Sequence, residues 1–169
     1  VGQDRVRDPL MTAPALVTLA CGRVDARATR TVREIVATTK RMRPDLRIEA
    51  AFFAGANPRL ERVVGTLAAR GYDEVVVVPL LVASTDQSDV DVLTAVDEAS
   101  GAHPTTRVQI SDLVGADANL LSVLDDRMRA ALRQARVREL DAVVLAAAGS
   151  RDALAAASVA RLARLWSVH

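Results

Sequence analysis

The unbroken apolar run Val75-Val76-Val77-Val78-Pro79-Leu80-Leu81-Val82 constrains this chain more than any other stretch. It is valine-rich and has no polar residue at alternate positions, which reads as a central strand buried on both faces of a parallel sheet. Parallel strands need crossover helices, and the flanking sequence supplies them in regular alternation. Ala15 to Ala20 reads as strand one. Asp25 to Arg41 reads as helix one, with apolar residues at Val32, Ile35, Val36 and Met42 and a stop at Pro44. Leu46 to Phe53 is strand two. Asn57 is placed as an N-cap and Pro58 at the first position of helix two, whose apolar face is Leu60, Val63, Val64 and Leu67 and whose end is Gly71.

Beyond the valine run, Asp86 or Ser88 is the expected cap of helix three, which reaches about Ser100 and is closed by Gly101 and Pro104. Thr105 to Ile110 is strand four and Asp117 to Arg136 helix four. Asp141 to Ala147 is strand five and Arg151 to Leu165 helix five. The expected fold class is α/β, a parallel-sheet, flavodoxin-like three-layer fold with right-handed crossovers and strand order 2-1-3-4. In such sheets ligands bind outside the carboxyl ends of the strands. The segments to watch are therefore Cys21-Gly22-Arg23, Gly55-Ala56-Asn57, Ala83 to Asp91, and Asp112 to Gly115.

Bulk properties narrow the function classes. The 169 residues fit one domain, and a net charge of +1 gives no pull toward nucleic acid or an anionic membrane. Aromatic residues make up 2% of the chain, too few for base-stacking platforms. One cysteine, Cys21, excludes an internal disulfide framework and fits a reducing compartment. No apolar run reaches the length of a membrane span and no signal-peptide pattern is present, so a cytoplasmic location is expected. Residues 1–12 read as a disordered extension, 13–138 as the main domain, and 139–169 as the start of a second, truncated unit. That last reading rests on a weak internal repeat. Ala15, Val17, Gly22, Asp25, Ala26, Ala28 and Val32 meet Ala142, Val144, Gly149, Asp152, Ala153, Ala155 and Val159 without gaps. Coincidence in an alanine-rich chain is the competing explanation. A truncated unit leaves strand five in need of a partner, and a second copy of the chain, in a homodimer, would provide one.

The motifs and their order resemble the sirohydrochlorin chelatase family of the CbiX/SirB type. The stretch Ala20-Cys21-Gly22-Arg23-Val24-Asp25 is similar to that family's opening Gly-His-Gly-Ser-Arg-Asp turn. Phe52-Phe53 through Asn57-Pro58 looks like its second strand and helix start, and Val75 to Leu81 like its third. His103-Pro104 fits the exit of helix three, and Ala148-Gly149-Ser150-Arg151-Asp152 looks like the start of a second chelatase unit. The resemblance implies insertion of cobalt, iron or nickel into a tetrapyrrole, in cobalamin or siroheme biosynthesis. The divalent metal is then a substrate, and no organic cofactor takes part. The family's two histidines are replaced: the first falls on Cys21, the second on Gln87, or on Asp86 if the loop shifts by one. A degenerate relative that binds metal, tetrapyrrole or a partner protein without turnover is the alternative.

Metal insertion needs a group to hold the ion and a base to take two pyrrole protons, tasks that suit neutral imidazole near pH 7. Here Cys21 and Gln87 stand at the catalytic positions. Cys21, Asp86 and Asp91 are the candidate metal ligands, the thiolate being favoured by a pKa lowered at a helix N-terminus. Gly22, Arg23, Ser84, Thr85 and Asn57 are the candidate substrate-binding residues. Each has a structural counterpart reading: Cys21 as a small core residue, Asp86 and Asp91 as helix-cap or first-turn acids, His103 as a surface turn residue. Cys21 and Arg27 also share the Cys-x5-Arg spacing of cysteine phosphatases, though Asp25 inside that loop would repel a phosphate dianion.

Overall fold

The computed structural model describes residues 13–21, 25–81, 86–112, 114, 118–137, 142–146 and 153–167, with the backbone alone for 86, 87, 118, 119, 154, 155 and 158. Its elements are β1 (Ala15–Ala20), α1 (Ala26–Met42), β2 (Ile48–Phe52), α2 (Leu60–Ala69), β3 (Glu74–Pro79), α3 (Asp86–Ala102), β4 (Arg107–Ile110), α4 (Ala118–Ala135) and α5 (Ala153–Ser167). The four strands form one parallel sheet in the order β2-β1-β3-β4, as expected. Register is set in the centre by Val17, which pairs with Glu49 on one side and Val77 on the other.

The chain divides into two compact units. The first holds the sheet with α1, α2 and α3. Its main core joins Val17 and Leu19 of β1, Ala51 of β2 and Val75 and Val77 of β3 to the apolar faces of α2 and α3. Those faces are Leu60, Val63, Val64 and Leu67 on α2, and Val92, Ala95, Val96 and Ala99 on α3. Each valine or leucine among them, fully buried, contributes about 1.5–3 kcal/mol. On the opposite face Ala20, Val32 and Phe52 form a smaller cluster under α1. Right-handed crossovers dictate this split, because the chain steps one way from β1 to β2 and the other way from β2 onward. The second unit comprises Val82–Asp86 and Gly115–His169, and its described helices are α4 and α5.

Several expectations are corrected. β3 is buried on one face only: Val75, Val77 and Pro79 are covered while Val76 and Val78 are half-buried. Among the described helices of the sheet's own unit, α1 is the one that packs on that second face, over β1 and β2. Helix two does not begin at Asn57. Residues 57–59 instead run beside the end of β2, where the Pro58 carbonyl accepts from the Phe52 N–H at 2.9 Å and Arg59 forms a parallel bridge to Phe52. The helix therefore opens two residues later, with Arg59 as N-cap and no side-chain cap bond. The Asn57–Pro58 peptide is cis. Gly71 does follow the helix, at φ 93°, a conformation that favours glycine. Ser88 is not a cap but lies inside α3, buried. Strand five is absent from the described part of its range: Ala142 to Ala146 has no strand pairing, and Val144 is 87% exposed. His103 does stand at the turn that follows α3. It is half-buried, with its imidazole against Gly65 of α2.

The sheet's edges are β2 and β4. On β2, Glu49 is held by Lys40 at 3.4 Å and by Arg47. On β4, Gln109 donates to Glu74 of β3.

Candidate functional site

The order β2-β1-β3-β4 puts the topological switch between β1 and β3, so the segments leaving those two strands diverge over opposite faces of the sheet. Cys21 is the first residue beyond β1. It continues the inward row of Val17 and Leu19, and its side chain packs against the main core together with Phe53, Leu81 and Val108. The backbone ladder extends past the strand ends here, with Phe53 N–H donating to Ala20 O at 3.0 Å and Leu80 N–H to Leu19 O at 2.9 Å. Cys21 therefore sits on a rigid platform.

The second side of the site comes from α3. Ser88, Asp91, Val92, Ala95, Val96 and Ala99 follow helical spacing and are the buried stripe of that helix. Its first turns carry polar groups at positions whose later equivalents are alanine and valine. Asp91 is only 7% exposed and lies past the first turn, so the first-turn reading of this acid does not hold. Its carboxylate is close enough to act on Cys21. The thiol is pushed up to about 11, first by burial and then by the Asp91 charge. This reverses the expectation of a thiol activated by a helix N-terminus. At neutral pH the resting group is a thiol, and a metal ion must displace its proton to bind.

The N-terminus of α1 is already occupied. Asp25 is its N-cap, in extended conformation, and its Oδ1 accepts from Ala28 N–H at 2.7 Å. Arg27 is an exposed helical residue. With a raised thiol pKa and a carboxylate on the helix N-terminus, the phosphatase arrangement finds no support.

The remaining sequence candidates divide as follows. Gly22, Arg23, Ser84 and Thr85 lie outside the described residues. Asp86 and Gln87 open α3, which sets their backbone just beyond β3, but their side chains lie outside the described set. Asn57 is exposed on the segment that runs beside β2, in a groove along α2 that neither Cys21 nor Asp91 lines. Of these candidates, Asp91 is the one whose charge acts on Cys21. Among the described residues no three His, Cys, Asp or Glu side chains cluster to hold a metal. Ser88, buried one turn before Asp91, is the residue the motif comparison passes over. Its signal was in the spacing 88, 91, 95, 99, which marks a helix face with two polar positions at its start.

A four-stranded parallel sheet of this order, with polar groups at the switch point, defines a doubly wound α/β protein whose ligand site lies at the carboxyl ends of its strands. The chain belongs to the CbiX family, whose model matches residues 15–131. A curated relative, the sirohydrochlorin cobaltochelatase of Priestia megaterium, is 24% identical over 135 residues. That alignment takes in 79% of this chain and 44% of the relative, so the chain spans less than half of that protein's length. Solved structures share the fold. One is described as a CbiX protein of cobalamin (vitamin B12) biosynthesis from Marinobacter aquaeolei VT8, at TM-score 0.61 and 21% identity, covering 72% of this chain and 99% of that one. Another is the sirohydrochlorin chelatase SirB of Bacillus subtilis subspecies spizizenii in complex with cobalt, at TM-score 0.70 and 17% identity, covering 91% and 62%. SirB of Bacillus subtilis with Fe3+ gives 0.72 and 17%, covering 92% and 61%. No helix among the described residues is long and apolar enough to cross a membrane.

Proposed function

We propose that this chain is a chelatase unit that inserts a divalent metal, cobalt or ferrous iron, into sirohydrochlorin. The observation that carries the reading is the buried Asp91 carboxylate, whose charge reaches Cys21, where the family has a histidine. A thiol and a carboxylate divide the work that imidazole does alone. Cys21 is the soft ligand and Asp91 the hard one, a pair suited to borderline ions such as cobalt and iron. Metal binding releases the thiol proton. Insertion then exchanges two pyrrole N–H protons for the ion: Asp91 is the group at hand to accept one and pass it to water, and the Cys21 thiolate freed as the ion leaves takes the other. Gln87, in the first turn of α3, orients the macrocycle, with Gly22, Arg23, Ser84 and Thr85 as its further contacts. The exposed Val143 and Val144 support a second copy of the chain as the partner of that segment.

The test is insertion into sirohydrochlorin, followed by absorbance, with cobalt, ferrous iron and nickel offered in turn. Wild-type turnover is expected with cobalt or iron, and Cys21→Ala and Asp91→Asn should each lower kcat about a hundredfold or more. Absence of turnover in wild type, with activity appearing only in the Cys21→His, Gln87→His double variant, would refute the reading. The chain would then be a non-catalytic relative that binds metal, tetrapyrrole or a partner protein.

A further inference from the structure

Along α2, Arg62, Thr66 and Arg70 recur every four residues and so share one stripe of the helix. The neighbouring stripe holds Gly65 and Ala69, whose small size lowers the surface between them. His103, just past the end of α3, fills the far wall. Its imidazole rests on Gly65 so closely that a Cβ there would stand 2.7 Å from Nε2. These residues enclose an open groove of about 830 Å³.

The groove's cations are under-compensated. Arg59, at its upper end, is paired with Glu98 at 3.3 Å. Glu61 is the one carboxylate among the lining residues. Glu49, which lines the groove on the other side of α2, is already shared by Lys40 and Arg47. Arg62 and Arg70 therefore make no ion pair or side-chain hydrogen bond among the described residues, and neither does the His103 imidazole. Eight residues of helix separate the two arginines by roughly 12 Å, with the imidazole seated between them. One small anion cannot satisfy all three, but a longer molecule with several anionic groups can. Guanidinium forks suit carboxylate and phosphate oxygens alike.

We propose that this groove binds a small polyanion, a molecule with two or more carboxylate or phosphate groups spaced along it. The site is separate from Cys21 and Asp91 and stands whether or not the chain inserts metal. The chain has two histidines, His103 and His169, so the imidazole carbon-bound proton signals in an NMR spectrum report the groove and carry their own reference. The full chain is titrated with citrate and, separately, with tripolyphosphate, against sodium chloride at matched ionic strength. The expected result is a saturable shift at His103 and none at His169. Half-saturation should rise about tenfold in Arg62→Gln, Arg70→Gln, both exposed positions whose loss leaves the fold intact. Gly65→Ala displaces the imidazole and should diminish the shift in a chain that keeps both arginines. Saturation by citrate alone assigns a polycarboxylate, by tripolyphosphate alone a polyphosphate, and by both a site that reads charge spacing. A shift that merely tracks ionic strength, appears equally at His169, or survives the double substitution unchanged would overturn the proposal.

Discussion

β1 with α1, and residues 142–146 with α5, carry the same sequence pattern and fold differently. The helical halves agree: α1 opens at Ala26 and α5 at Ala153, the two positions that the internal repeat superimposes. The strand halves do not. Ala15 to Ala20 is hydrogen-bonded to β2 on one side and β3 on the other, while Ala142 to Ala146 has no strand pairing. A helix closes its hydrogen bonds four residues away, so its sequence carries most of what it needs. A strand's hydrogen bonds close on another segment of chain, and no apolar pattern supplies that segment. What the repeat encodes is thus a helix and a capacity for pairing.

The largest effect separates the two regions by burial. Val17→Asp puts a carboxylate at a fully buried position between two strands and should cost roughly 4 kcal/mol or more, enough to unfold a domain of ordinary stability. Val144→Asp, at the position the repeat aligns with it, should stay within about 0.5 kcal/mol. Urea denaturation of the two variants decides, and equal losses would mean that the second segment is as well packed as the first. Next, Val32→Ala on α1 should cost about 2 kcal/mol and Val159→Ala on α5 less than about 1, because Val32 is buried and Val159 only half so. Thermal melts that reverse this order break the comparison. Smaller still, Asp25→Ala removes the cap bond to Ala28 N–H and should cost about 1 kcal/mol, seen as a lower urea midpoint.

The last effect is one of pH and is absent at neutrality. The folded thiol of Cys21 titrates near 11 against an ordinary 9.0, so the folded state keeps its proton where the unfolded chain releases it. Stability should be unaffected below pH 9 and should fall as pH rises from 9 toward 11. Cys21→Ala should flatten that decline in stability-versus-pH curves, whereas the aligned residue of the second region, Ala148, has nothing to titrate. Asp91→Asn should narrow the window by removing the smaller of the two causes. Alkylation of Cys21 by iodoacetamide should become faster at pH 8 in that variant. An unchanged rate would remove Asp91 from the thiol's surroundings.

The same division explains what could be read from residues alone. Four strands, their order and every helix were legible because alternation, apolar spacing and crossover handedness all point one way. Strand five was not, since its apolar letters match β1 and the missing partner leaves no trace in them. Asn-Pro is a good helix start and marks Asn57 as a cap; pairing of the Phe52 N–H with the Pro58 carbonyl competes for the same residues and wins. In the site, the segment positions were legible from topology, and the burial of Asp91 follows from its place on the stripe with Ser88 and Ala95. The sign of the Cys21 shift was not legible. It depends on how far Phe53, Leu81 and α3 close over the thiol, and sequence does not carry that distance.

The doubling back of the chain at the end of β2 has a consequence for crowded solutions. An exposed parallel edge is a template on which strands of other molecules can add and fibrils can start. Here the last pairing position of that edge is taken by the chain's own Pro58 and Arg59, and the middle carries Glu49 with its two cations. An intruding strand would have to evict a covalent neighbour and strip water from three charges before gaining its first hydrogen bonds. The β2 edge is therefore guarded at its end and at its middle against growth by addition.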